Sequence, residues 1–270
     1  MDEDINNEKE FKKKVRNRSI RSFSIFTICV FSVFGIYFWI VNGPKSDGAY
    51  TPFRKILNIN SKIFAIGYEN PSLSKEFPKS IASKRVRVNG NAGMKSVLDT
   101  ASWKLKIVRF NLLTPLPSDT FEISMDEIKA LPKTEVVFNF KCIEGWSQIT
   151  WWGGVRFSDL AAKYKIGTKN NSIPDTKGNP DQLARYCGLI TPDKEYFVGI
   201  EMPGMMHPQT ILCYEMNGQP LPLNQGAPLR LIIPVKYGVK HLKRIGMIYF
   251  SDERPPDYWA IRGYDYFAGL

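Results

Sequence analysis

From Ser22 to Pro44 the chain reads SFSIFTICVFSVFGIYFWIVNGP, a run without a charged residue. Its apolar heart, Phe23 to Val41, approaches the roughly 20 residues that carry a helix across a bilayer. Tyr37 and Trp39 stand near one end, where amphipathic rings favour the lipid–water interface. Just upstream, KKKVRNRSIR (Lys12 to Arg21) holds six cations and no acid. The positive-inside rule then makes residues 1–21 a cytoplasmic tail and puts everything beyond the span on the exported side. The apolar run exceeds the h-region of a cleaved signal, and VNGPKSDGAYTPF offers no A-x-A-like cleavage site. The expectation is a single uncleaved anchor over 22–44 of the cytoplasmic membrane, N-terminus in, with a periplasmic domain behind it. SIRSFSI (Ser19 to Ile25) has the frame of a twin-arginine export signal, but Ile20 occupies the place of the first arginine.

Beyond the anchor there is enough material for one domain of about 200 residues, or two small ones. Hydrophobic residues make up 43% of the chain, with 17 Phe, 12 Tyr and 6 Trp, which supports a packed core and excludes a largely disordered chain. The formal net charge is +11, of which the tail carries +2 (seven Lys/Arg against five Asp/Glu). A basic surface suits anionic ligands or lipid heads. No nucleic-acid-binding motif accompanies it, so nucleic acid is not the expected partner.

Residues 45–84 read as a tether that gradually packs on a domain spanning 85–270. WKLKIVRF (Trp103 to Phe110) has strand composition. SMDEIKALP (Ser124 to Pro132) predicts a short helix, with Ser124 and Glu127 forming a capping box and Pro132 ending it. TEVVFNFKC predicts a strand with Cys142 at or just past its end, and FSDLAAKY (Phe157 to Tyr164) another short helix. In ILCYEMNGQPLPL, Asn217-Gly218 supplies the positive φ angles of a hairpin turn. LRLIIPVKYG and IGMIYFSD read as late strands. Strands dominate, helices are short and no βαβ rhythm appears, so the fold class is α+β with antiparallel-leaning sheets.

Four cysteines are present, with Cys29 in the anchor and Cys142, Cys187 and Cys213 beyond it. An odd number in an exported domain leaves at least one thiol without an intrachain partner. Cys187 and Cys213 are either a disulfide or plain core residues. Cys142, inside FNFKCIEGWSQITWWGGVRF, is either a small hydrophobe on a core strand or a thiolate ligand to a soft metal. Trp146, Trp151 and Trp152 either wall a pocket there or pack as ordinary core aromatics. Gly153 and Gly154 mark a turn or a close backbone approach.

KCIEGWS, WWGGVRFSDL, MHPQT, YEMNGQPLPLNQGAPLRLIIPVKYGVKHLK and DERPPDYW occur in that order. The series resembles the sulfite oxidase superfamily of molybdopterin-dependent oxidoreductases, and within it the bacterial branch of periplasmic protein-methionine-sulfoxide reductase catalytic subunits. It covers roughly Arg85 to the end, and implies a strand-rich molybdopterin-binding fold behind the single transmembrane helix. It also implies a molybdenum-molybdopterin (Mo-MPT) cofactor whose metal takes one protein thiolate, Cys142, the pterin supplying the other sulfurs. Many relatives have arginine before this cysteine; Lys141 keeps the charge and loses the bidentate fork. By the same resemblance His207, Arg230, Gly238, Lys240, His241 and Lys243 cradle the cofactor, and Asn89 of VNGNAG lies near the metal. Glu144 is either a pocket carboxylate or an ion-pair partner. For a sulfite substrate the candidate cations are Lys141, Arg156 and Lys236. No CxxCH haem motif occurs, so the resemblance implies a haem- or quinone-linked membrane redox partner.

Two functions follow. One is a membrane-anchored molybdenum-pterin oxidoreductase performing two-electron, oxygen-atom-transfer chemistry on an S-oxide, an N-oxide or a sulfite-like substrate. The other is a non-catalytic tethered module that reuses the basic cleft for an anionic ligand.

Overall fold

The computed structural model describes residues 2–67, 72–110 and 119–269. It divides into two compact units, Met1–Lys55 and Ile56–Leu270. In the first, α1 (Asp2–Val41) is one helix of 40 residues, roughly 60 Å long at 1.5 Å per residue. Its stretch Lys9–Val41 is long and apolar enough to cross a bilayer, by length and composition. Phe23, Phe31 and Trp39 each expose about 70% of their surface, as lipid-facing side chains would.

A short hairpin follows, β1 (Lys45–Ser46) against β2 (Ala49–Tyr50), turned by Asp47 and Gly48 at positive φ. Next comes α2 (Thr51–Gly67), inside the segment expected to be a tether. Pro52 at its first turn and the spacing of Phe53, Ile56, Ile59 and Ile63 are the helix signals in this stretch. Thr51 donates its backbone N–H and hydroxyl to Pro44 O. Arg54, 5% exposed, donates to Ser46 O and Asp47 O, which fixes the first turn of α2 to the hairpin.

The second unit contains two five-stranded sheets among the described residues. The first uses β3 (Lys104–Val108), β4 (Thr120–Ser124) and, from later in the chain, β7 (Tyr186–Ile190), β8 (Phe197–Glu201) and β12 (Met247–Ser251). Its order is β4-β3-β12-β7-β8, with only β3–β12 parallel. The other runs β10 (Gln219–Pro220), β9 (Ile211–Met216), β6 (Ser147–Arg156), β5 (Lys133–Lys141), with β11 (Arg230–Ile232) also on β9. All its pairings are antiparallel. Between strands sit α3 (Met125–Lys129), α4 (Phe157–Tyr164) and α5 (Met202–Met205). This is the mixed, antiparallel-leaning architecture the sequence implies.

Local signals act as their chemistry requires. Ser124 Oγ accepts from the Glu127 N–H while Glu127 accepts from the Ser124 N–H, completing the capping box of α3. Asn217 and Gly218 take φ of 53° and 72° in the β9–β10 turn. The Gly153-Gly154 pair is not a turn. It lies inside β6 at a register shift against β9, where a Cβ on Gly154 would run into Leu212 O. Only glycine permits that approach.

The main core forms around Leu105, Ile107, Phe157, Leu160, Leu189 and Ile248, all fully buried. A smaller cluster of Val136, Phe138, Trp152, Ile211, Cys213 and Ile232 lies on the β5–β6–β9–β11 sheet. Cys187 on β7 and Cys213 on β9 are in different sheets, and both are free and buried. Burial pushes the Cys213 thiol up to about 12 and the Cys187 thiol higher still. Both are packed core residues, not a disulfide.

Candidate active site

Strand β5 ends at Lys141 and β6 starts at Ser147, so residues 142–146 make the connecting turn. The Cys142 N–H donates to Trp146 O at 2.9 Å, the Gly145 N–H donates to Cys142 O at 3.0 Å, and Gly145 takes φ of 90°. The thiol is thereby held on a rigid hairpin tip, 7% exposed. It lines a cavity of about 310 Å³, the lower end of the size range of small-molecule sites.

The expected site residues divide by position. Asn89, Cys142, Glu144, Arg230, Gly238, His241 and Lys243 line this cavity. Asn89 Nδ2 lies 3.7 Å from Cys142 Sγ. Glu144 accepts from Trp146 Nε1 at 3.0 Å, and bonds from Trp146, then Asn89, hold its carboxyl below the usual range. Trp146 and Trp152 are in the wall. Trp151 is not: the strand period turns it to the opposite face of β6, where its Nε1 donates to Glu135.

Arg230 is 2% exposed, donates through Nη1 to Gln225 O and Oε1, and stacks 4.5 Å from the Trp152 ring. Its Nε has no hydrogen-bond partner among the described residues. Burial lowers its pKa to about 10. Lys243 Nζ reaches Asn89 O at 2.7 Å and Gly90 O at 3.0 Å. Burial first, and Arg230 second, lower its pKa to about 8.

Four of the expected residues stand outside the cavity or are engaged in other contacts. His207 is buried beside α5, outside the cavity wall, with Nδ1 accepting from the Gln209 N–H at 3.2 Å. Lys240 turns away from the cavity: its Nζ sits 2.5 Å from Asp257 Oδ2 and 2.9 Å from Gly199 O, 1% exposed. His241 lines the cavity but offers no cationic donor. Its Nδ1 faces the Ile233 N–H and its Nε2 the Lys236 carbonyl, and burial drives its pKa down to about 3. Its ring instead packs with Phe138 and Phe140 at centroid distances of 5.9 and 4.7 Å. Lys141 is exposed and borders a second cavity, which shares the Cys142–Trp146 turn as a wall.

Arg87, Gln225, Phe140, Tyr196, Trp259 and Tyr264 also line the cavity and were not singled out in the sequence. Only DERPPDYW pointed to Trp259. The Gln225 role depends on a contact with Arg230 that no local pattern encodes. Among the described residues no group of three or more His, Cys, Asp or Glu could hold a metal ion. A metal at Cys142 therefore needs its other donors from a ligand. One shielded thiol, an amide beside it, a buried guanidinium with an unpaired Nε and a second ammonium in one cavity suit a sulfur-donating, phosphate-bearing cofactor.

Comparison with known proteins agrees with that chemistry. Residues 91–259 match the model of the oxidoreductase molybdopterin binding domain. A putative protein-methionine-sulfoxide reductase subunit, YedZ1, of Azospira oryzae is 31% identical over 75% of this chain and 70% of its own length. The protein-methionine-sulfoxide reductase catalytic subunit MsrP of Xanthomonas axonopodis pv. citri is 34% identical over 51% of this chain and 43% of its own. MsrP of Campylobacter jejuni is 32% identical over 64% and 58%. The chain thus spans only about half the length of those two catalytic subunits. The sulfane dehydrogenase SoxCD of Paracoccus pantotrophus aligns over 69% of this chain and 46% of its own, with 14% identity and a TM-score of 0.47. The chain belongs to the molybdopterin-binding oxidoreductases of the sulfite oxidase superfamily, is an enzyme rather than a bare binding module, and takes Mo-MPT as its cofactor.

Proposed function

We propose that this enzyme transfers an oxygen atom to or from an uncharged S-oxide, with Cys142 as the protein ligand to molybdenum and α1 as its membrane anchor. The observation that carries the substrate reading is the charge of the cavity wall. Of its three cations, Arg230 and Lys243 would be taken up by the cofactor phosphate, and Glu144 adds a negative charge to the wall. Lys141, Arg156 and Lys236, the cations available for sulfite, are not in this wall. Lys236 is fully buried and sits 2.5 Å from Glu201. The remaining wall cation, Arg87, stacks 4.8 Å from the Trp146 ring with Glu144 as its counter-charge, so a substrate anion would meet little net positive charge there. A neutral sulfoxide can place its apolar arms on Trp146, Trp259 and Tyr264 and leave its oxygen to polar donors. The methionine-sulfoxide reductase names of the relatives point the same way.

The bound molybdenum centre supplies two-electron chemistry with transfer of one oxygen. The protein's part is binding and orientation. Cys142 would donate a thiolate from a rigid turn, and Asn89 would steady that sulfur through Nδ2. Arg230, Lys243 and the backbone around Gly238 would hold the terminal phosphate. The anchor is read as N-terminus in, with the domain on the periplasmic side, next to a haem- or quinone-linked electron carrier in the membrane.

A substrate panel tests the reading. Neutral sulfoxides should exceed sulfite in kcat/KM by at least about tenfold, or ~1.4 kcal/mol of barrier. Faster turnover of sulfite would overturn it. The cradle gives a second prediction. The phosphate binds protonated Lys243, and a nearby dianion raises that pKa above its cofactor-free value of about 8. Below pH 8 the lysine is charged in both states and affinity is flat. Above it the free protein loses its proton first, so cofactor affinity should fall with a slope approaching tenfold per pH unit. Lys243→Met should flatten that dependence in a pH series of molybdenum retention.

A further inference from the structure

Helix α2 carries an apolar face that the described residues leave more than half exposed on average. Phe53, Ile56, Ile59 and Ile63 are spaced three or four residues apart, so they share one side of the helix. They are 50%, 61%, 57% and 62% exposed. The other side is engaged: Arg54 donates to the hairpin, Asn58 accepts from Arg254 at 3.3 Å, and Asn60 borders the second cavity. What covers the apolar stripe follows from the chain just before it. Only residues 42–50 separate the end of α1 from the start of α2, and nearly half of them are tied into the hairpin that anchors Thr51 and Arg54. The exposed cations Lys45 and Lys55 flank the stripe, matching anionic headgroups. An apolar face with a polar opposite side and nearby lysines is the pattern of a helix lying in the membrane interface.

We infer that α2 lies in the lipid headgroup region, its Phe53–Ile63 face toward the acyl chains. It thereby holds the rim of the second cavity, and with it the Cys142–Trp146 turn, at the membrane surface. The inference rests on the reading of α1 as an anchor.

The test uses the full chain carrying Cys29→Ser, reconstituted in phosphatidylcholine–phosphatidylglycerol nanodiscs. Single cysteines at Ile59→Cys, Lys177→Cys or Ile36→Cys take an environment-sensitive fluorophore, and labelling of the Cys29→Ser parent is subtracted. The label at 59 should be quenched by doxyl lipids, and several-fold less by aqueous iodide than the label at the exposed position 177. Adding Ile56→Glu and Ile63→Glu should restore iodide quenching at 59 while the label at 36 stays in lipid. If 36 is lipid-quenched but 59 is as iodide-sensitive as 177, the interfacial helix is wrong and the anchor stands. A label at 59 that ignores the two glutamates overturns it as well, as does one shielded only after a membrane-protein extract is added. If 36 itself is iodide-sensitive, the anchor reading fails and takes this one with it.

Discussion

Cys142→Ala should abolish turnover and remove the thiolate-to-metal absorption of the oxidised protein, because alanine offers no donor. The fold should survive. The side chain is small and sits on a turn secured by backbone bonds between residues 142, 145 and 146, so the loss should be about 1–2 kcal/mol. Cofactor should remain partly bound, since Arg230, Lys243 and the Gly238 backbone do not depend on the sulfur. Cys187→Ala and Cys213→Ala provide the contrast. Their buried thiols lie in the two sheets, outside the cavity wall, and should change stability without touching the spectrum. Wild-type absorption in Cys142→Ala would return this residue to a core thiol.

The second large effect lies at Asp257. Its Oδ2 accepts from Lys240 Nζ and the Gly199 N–H, and its Oδ1 accepts from the N–H groups of Trp259 and Ala260. Both partners of the ion pair are at most 3% exposed. Asp257→Ala strands a buried ammonium and three backbone donors, which costs about 3–5 kcal/mol. For a domain of this size that lowers Tm by roughly 6–20 °C. Asp257→Asn with Lys240→Met removes both charges and keeps one acceptor oxygen for the Trp259 and Ala260 N–H groups, so it should recover much of the loss in a double-mutant cycle. The same double variant separates two roles for Lys240. If Lys240 only fixes the loop behind Gly238 and Val239, molybdenum content is retained along with stability. If it reaches the cofactor phosphate, stability returns and molybdenum does not.

What the sequence discloses and what it hides have physical causes. Short-range chemistry was legible: the Ser124–Glu127 capping box, the Asn217-Gly218 turn and the position of Cys142 just past β5 each depend on a few adjacent residues. The family resemblance, carried by an ordered set of motifs, reached the cofactor. Tertiary choices stayed hidden. Lys240 and Lys243 look alike in YGVKHLK, yet one meets Asp257 and the other the carbonyls of Asn89 and Gly90, contacts fixed by distant segments. His241 resembles a phosphate ligand until its burial and two backbone contacts are seen. Trp151 and Trp152 differ only by the strand alternation of β6, in which the glycine pair makes the close backbone approach that was one of its two readings. The helix α2 was missed because its apolar stripe stays exposed, and an exposed stripe looks like part of a linker.

Molybdenum K-edge X-ray absorption on the full chain from a cofactor-competent host, compared with Cys142→Ala, tests the central claim most directly. The account predicts about one molybdenum per chain in the wild type and one sulfur scatterer fewer in the variant. An unchanged sulfur shell, or a wild-type protein free of molybdenum, would contradict it.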